Sequence, residues 1–263
     1  MVFSESCPIA SLMVGLIINA DDFGLSPGIN YGIIDAHRRG VVTSTTAMMT
    51  AGAIEHAAQV CVDVPSLAIG LHFVLSYGNP LTMMTSLQRD GKLGKWVWDA
   101  ARDGLLAEQE VENELEAQYQ KFIALFDRVP THIDSHHHVH FIPQVWNVVS
   151  QFAQQKGLPV RFDPEAAAPQ GITRENVIST EGFSSHFYTD NASQAKFLHL
   201  LDESAERGEE TFELMCHPGF VDRIVQQSAY CFERLVEHEI LTAEALRWEI
   251  AERGYRLGAF NDI

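Results

Sequence analysis

The chain has 263 residues, 46% of them hydrophobic and 20% charged, which supplies a sizeable core and excludes a globally disordered polymer. Its 35 acidic against 18 basic residues leave a formal charge of −17, arguing against nucleic acid or an anionic membrane as partner. Four cysteines, Cys7, Cys61, Cys216 and Cys231, form no Cys-x-x-Cys pair and fit a reduced, cytoplasmic protein better than a disulfide scaffold.

Residues 1–13 show no basic n-region or signal-type cleavage site and are expected to be a disordered leader. The apolar run at 12–20 is too short to span a bilayer. From residue 14 to 263 the pattern reads as a single domain. Val14–Asn19 is a nearly continuous apolar run, as for a strand buried on both faces, and it runs into Asp21-Asp22. Ser26-Pro27 caps a helix that Gly40 stops. Val41–Met49 is expected as the second strand, Ala53–Val62 as a small-residue helix, and Leu67–Leu75 as the third strand with His72 near its end. Residues 76–104 hold Gly, Pro, Asp-Gly and two tryptophans, and look like an insertion.

A long amphipathic helix is expected at Glu108–Phe126, stopped before Pro130. The fourth strand runs from Thr131 into a cluster in which five of ten residues, Thr131 to His140, are histidine. Extended geometry puts Asp134, His136, His138 and His140 on one side. A helix follows at Pro143–Lys156, then a fifth strand at Val160–Phe162, an irregular stretch over Pro164–Ser185, and a helix at Ser193–Ala205. Thr211–Cys216 is expected as the sixth strand, Ala229–His238 and Ala243–Arg253 as helices, and Tyr255–Phe260 as the seventh strand. Strand and helix alternate without linker or repeat, which predicts an α/β fold: a single parallel, TIM-like (β/α) barrel of seven strands.

The polar residues of interest fall where expected strands end: Asp21-Asp22, His72, His136 and His217. Parallel barrel strands gather their carboxyl ends on one rim, so four separate segments converge there. Alone, an Asp-Asp pair is usually a turn and a buried histidine a satisfied core residue; their coincident placement favours a site. The favoured metal set is Asp22, His72 and His136, three ligands leaving room for water, with His138 and His140 competing and Asp134 a candidate to orient an imidazole. Asp21 diverges from Asp22 along an extended chain and suits a general base, Arg161 could keep it ionised, and His217 could protonate a leaving group. Among the aromatics, Trp96 and Trp98 are the better candidates to stack on a sugar, with Phe73, Tyr77, Phe141 and Trp146 more often core. Arg89, Lys92 and Lys95 could meet a phosphate.

Ile18–Gly24, Gly70–Phe73, Thr131–His140 and Met215–Pro218, with Leu93–Trp98 and Gln227–Phe232, resemble the YdjC-like carbohydrate deacetylases from about Val14 to the C-terminus. The resemblance implies a NodB-related barrel and one divalent metal, magnesium by family and zinc by ligand chemistry, held by Asp22, His72 and His136 with Asp21 as base. It further implies removal of an acetyl group from N,N′-diacetylchitobiose or the trimer, as 6-phosphates, in chitin degradation, and a cytoplasmic homodimer. His138, His140, Phe73, Trp96 and Trp98 are the expected substrate contacts. Rival readings are a metal-dependent phosphoesterase and a non-catalytic metal- or sugar-binding regulator.

Overall fold

The structure, a computed structural model, describes residues 14–263, so the expected leader at 1–13 lies outside the described residues. Chain order begins β1 (Val14–Phe23), α1 (Pro27–Arg39), β2 (Ser44–Ala47), α2 (Ile54–Val60) and β3 (Ala68–Phe73). It continues with α3 (Val97–Arg102), α4 (Glu108–Phe126), β4 (Ile133–Ser135), α5 (Pro143–Lys156) and α6 (Pro164–Ala167). Then come β5 (Gly182–Ser184), α7 (Gln194–Glu206), β6 (Thr211–Cys216), α8 (Glu233–Leu241), α9 (Glu244–Glu252) and β7 (Tyr255–Leu257).

The ladders between these strands are all parallel, in the order β4-β3-β2-β1-β6-β5. The expected barrel-like α/β architecture is therefore present, but the count of seven needs correction. Six strands form the curved wall. β7 joins only Val14–Leu16 of β1, because β2 takes that edge of β1 from Asn19 onward while β6 lines the other. The expected fifth strand at Val160–Phe162 is also corrected. Val160 makes a lone parallel bridge to Ile133, and β5 forms later, at Gly182–Ser184, inside the stretch expected to be irregular. Pro159 supplies the reason in part: it lacks an N–H and can only accept, from Ile133.

Local chemistry explains the elements that frame the rim. Ser26 Oγ accepts from the Ile29 N–H and Pro27 opens α1. The excursion between β3 and α4 is ordered because α4 holds it. Buried Glu114 accepts the backbone N–H groups of Leu81 and Thr82 and the Thr82 hydroxyl, and Glu110 takes Thr85 and Ser86. Met84, Leu87, Leu93 and Val97 from that excursion pack into the main core, fully buried side chains of this kind contributing roughly 1.5–3 kcal/mol each. Among the described residues no helix is long and apolar enough to cross a membrane.

Candidate active site

The carboxyl ends of β1, β3, β4 and β6 bring Asp21, Asp22, His72, His136 and His217 to one cavity of about 840 Å³. β1 does not deliver its two aspartates by simple alternation. Its register to β2 shifts between Ala20 and Phe23, and Asp22 takes φ 72°. That is the left-handed region, sparsely populated by aspartate and costly to hold without supporting contacts. The kink turns Asp22 toward the histidines while Asp21 points elsewhere.

Asp22 Oδ1 lies 3.0 Å from His136 Nδ1 and 3.4 Å from His72 Nε2, and the two ring nitrogens are 3.3 Å apart. Atoms so spaced fall near three corners of a ligand shell about 2.1 Å from a shared cation. Asp22 Oδ1 is buried with no hydrogen-bond donor, a state that costs free energy unless something positive meets it. The donor set and the orphaned oxygen both fit a divalent metal ion. One oxygen and two imidazole nitrogens suit zinc and its neighbours at least as well as magnesium.

Burial works to raise the Asp22 carboxyl, but Arg234, then His136 and His72, hold it well below the usual carboxylate range. Arg234 Nη2 donates to Asp22 Oδ2 at 2.7 Å. His72 Nδ1 is 2.6 Å from Asp134 Oδ1, which fixes the ring with Nε2 toward Asp22. Burial would lower His72, yet Asp134 outweighs it and lifts the ring to about 10. Metal coordination requires the unprotonated Nε2, so binding would release a proton.

Asp21 is gripped by Arg161, whose Nη1 and Nη2 donate to its two oxygens at 2.8 and 2.7 Å. Asn19 Nδ2 adds a third donor at 2.8 Å. The same guanidinium reaches Glu213 Oε1 at 2.8 Å and Asp134 Oδ2 at 2.9 Å, and Nη1 lies 3.3 Å from His138 Nε2. One fully buried cation thus serves three buried carboxylates. Burial pushes Glu213 up to about 7 although Arg161 opposes it.

His217 Nε2 stands 3.9 Å from Asp21 Oδ2, and its ring packs against the stacked pair Tyr188 and Tyr230, at 5.2 and 5.7 Å from the two centroids. Burial brings the imidazole down to about 4, ahead of the opposing pull of Asp22 and Asp21. Behind it, Glu237 Oε1 accepts the His217 backbone N–H, and Glu237 Oε2 accepts the Tyr230 hydroxyl.

The histidine cluster is a turn, not the extension of a strand. His137 and His138 have φ of 58° and 54°, so the alternation expected for His136, His138 and His140 breaks. His137 lines the cavity, with Nδ1 on the Ser76 hydroxyl at 2.8 Å. His138 also lines it, facing Arg161, and is no part of the Asp22 cluster. His140 is fully buried, with Nδ1 on Ser135 Oγ and Nε2 on the Arg161 carbonyl, which leaves no nitrogen for metal or substrate.

Phe73 is likewise corrected: it is fully buried in the core. Trp96 lies under the Arg89 guanidinium and donates Nε1–H to the Leu87 carbonyl, so it braces the excursion and does not line the cavity. Trp98 is 37% exposed at the rim, its ring 6.5 Å from His137. Phe141 and Trp146 stack on one another beside His140. Tyr77 and Lys95 reach the cavity, whereas Lys92 does not line it.

Sequence reading missed Arg234, Tyr188, Tyr230, Glu237 and Glu213. Glu213 carries a signal, as the charged residue inside the apolar run Phe212–Cys216. Arg234 and Glu237 carry none, because an arginine and a glutamate on an amphipathic helix ordinarily face solvent.

The model of the YdjC-like protein family matches residues 15–252. A chitooligosaccharide deacetylase of Citrobacter koseri is 55% identical over 248 residues, covering 94% of this chain and 98% of that protein. Among solved structures, a candidate cellobiose-phosphate cleavage protein from Enterococcus faecalis V583 superposes with a TM-score of 0.87 at 35% identity, over 95% of this chain and 98% of that one. A family 4 acetyl xylan esterase from Clostridium thermocellum, in complex with a cobalt ion, shares the fold alone, with a TM-score of 0.51 at 10% identity over 94% and 89% of the two chains. The chain belongs to the YdjC-like protein family.

Proposed function

We propose that the chain is a carbon–nitrogen hydrolase that removes an N-acetyl group from chitooligosaccharides with the aid of one divalent metal ion, releasing acetate. The observation that carries this reading is the convergence of Asp22, His72 and His136 on one point beside the Arg161-held carboxylate of Asp21. The 55% identity to a chitooligosaccharide deacetylase supports the substrate class.

The metal, when bound, supplies Lewis acidity toward water and the acetamide carbonyl. The remaining chemistry belongs to the protein. Asp21 accepts a proton from the attacking water, with Arg161 and Asn19 holding and aiming its carboxyl group. His217, neutral near pH 7, sits where it can pass that proton on to the leaving amine nitrogen. Asp134 holds His72 in its tautomer.

The rings that line the cavity, Tyr77, His137, Tyr188 and Tyr230, are the candidate platforms for sugar rings, with Trp98 beside His137 at the rim. N,N′-diacetylchitobiose and the trimer are the substrates this reading assigns to the cavity. Lys95 on the wall is the candidate partner for a 6-phosphate. The choice of magnesium, a homodimer and a cytoplasmic site rest on family resemblance, and zinc on the ligand set.

The test is acetate release from diacetylchitobiose and its 6-phosphate, after chelation and after adding back magnesium, zinc or cobalt. Acetate should appear only with metal. Release of phosphate without acetate would favour a phosphoesterase, and sugar binding without turnover a regulator. Asp21→Asn should keep its metal and lose about 10³-fold or more in turnover, in the range seen for loss of a positioned base. His72→Ala should lose the metal, as read by elemental analysis.

A further inference from the structure

Arg234, on α8, is 3% exposed, yet it lines the same cavity as the metal-type cluster. Its Nη2 donates to Asp22 Oδ2 at 2.7 Å and its Nε to the Tyr230 carbonyl at 3.1 Å. Its Cζ lies 5.4 Å from the Tyr230 ring centroid, and the two hydrogen bonds on Nη2 and Nε hold the guanidinium in place. Nη1 alone has no acceptor, although it is buried. A charged donor left buried and unmet is costly, and a native site retains one where a ligand supplies the missing acceptor.

We propose that Arg234 is a further catalytic residue, whose Nη1 donates a hydrogen bond to the acyl oxygen of the bound acetamide while Nη2 holds Asp22. The inference rests on the deacetylase reading and adds to it a donor for the oxygen on which charge develops. Guanidinium nitrogens donate and never accept, so the partner must be an acceptor, which on an acetamide is the acyl oxygen. Nη1 and Nη2 share one carbon, and Nη2 is already on the carboxylate whose other oxygen meets His72 and His136. The acceptor therefore lies at the reacting group and not at a remote sugar hydroxyl. As the acyl carbon becomes tetrahedral its oxygen gains negative charge, and a pre-aimed donor stabilises that state more than the ground state. After cleavage the same N–H faces an oxygen of acetate.

The test compares wild type with Arg234→Lys, whose single ammonium cannot serve Asp22 and a second oxygen in the same geometry. Bound metal per chain, kcat and KM for acetate release from diacetylchitobiose, and the Kd of sodium acetate for the metal-loaded protein are measured together. The expected result is metal content within twofold, KM within about threefold, and kcat lower by roughly 10²–10³, the usual loss for one such donor. Acetate should bind about tenfold or more weakly. A variant with kcat within threefold of wild type, or with unchanged acetate affinity, would overturn the proposal. So would a loss of activity that excess metal restores, since Arg234 would then only hold Asp22.

Should the variant not fold, the wild type answers alone. Acetate titrated into metal-loaded protein labelled with [15N]arginine must shift the Arg234 Nη1 resonance, and an unmoved signal overturns the assignment. Wild-type protein that releases no acetate would sink the deacetylase reading itself, and the acetate titration separates that failure from failure of the Arg234 assignment.

Discussion

Asp21 and Asp22 are neighbours in the chain, and each is taken by a buried arginine from a distant element, but the two pairs are built differently. Arg161 spends both terminal nitrogens and Nε on Asp21, Asp134 and Glu213, so its charge is absorbed within the protein. Arg234 meets a single carboxylate and keeps one nitrogen unpartnered. The first arrangement engages all three nitrogens of its guanidinium and leaves over only one buried carboxylate oxygen, Glu213 Oε2; the second leaves a cationic donor for something that arrives. The contrast shows why counting ion pairs does not locate chemistry. The pair with fewer bonds is the one left open to a ligand.

The contrast breaks most severely at Arg161. Arg161→Met leaves Asp21, Asp134 and Glu213 buried without their shared cation, and removing one partner of a buried pair typically costs about 3–5 kcal/mol. The variant is expected to lose at least that much stability in a denaturant titration, a larger loss than Arg234→Lys should show. Equal losses from the two would mean that both arginines are structural. A smaller effect is expected one step away, at His140, which accepts or donates only within the turn and to the Arg161 carbonyl. His140→Ala should cost about 1–3 kcal/mol, the range for stranding buried partners. Metal content should stay unchanged; loss of the metal would place His140 in the site after all.

Regular elements were legible where their ends carry strong local chemistry. The expected bounds of α4, α5 and β6 agree with those observed, because Pro130, Pro143 and Gly157 punctuate the helices and β6 is a compact apolar run. The convergence of Asp21, Asp22, His72, His136 and His217 was legible for a topological reason, since parallel strands share one rim. The histidine turn was not. Left-handed φ at His137 and His138 violates the preference of those residues, and no pattern of period 2 can announce where such a turn starts. β5 was hidden because three residues of Gly-Phe-Ser give no periodic signal, and its place is set by pairing to β6. Arg234 was hidden because its role depends on α8 packing back across the rim, a contact spanning 212 positions in sequence.

The most gradual expected effect, spread over several pH units, tests the environment behind Arg234. Glu237 is fully buried, and burial raises its carboxyl from 4.5 to about 8, against the opposing influence of Tyr230, the His217 N–H and Arg234. Between those two values the folded chain holds a proton that the unfolded chain has released. Stability should therefore fall as pH rises from about 4.5 to 8, by up to about 1.4 kcal/mol per pH unit. Below 4.5 both states are protonated and the contribution is flat. Glu237→Gln abolishes this titration while keeping the shape, so the stability difference between wild type and variant should carry the slope while other groups cancel. Urea midpoints of the metal-free proteins at pH 5, 6, 7 and 8 measure it. Parallel curves would mean that Glu237 is already ionised in the fold at pH 5. A second carboxylate would then share the field of Arg234, making that arginine resemble Arg161 and narrowing the contrast between the two pairs. A wild-type curve that falls relative to the variant's as pH rises instead leaves Asp22, among the described residues, as the ionised carboxylate that Arg234 serves in the neutral range.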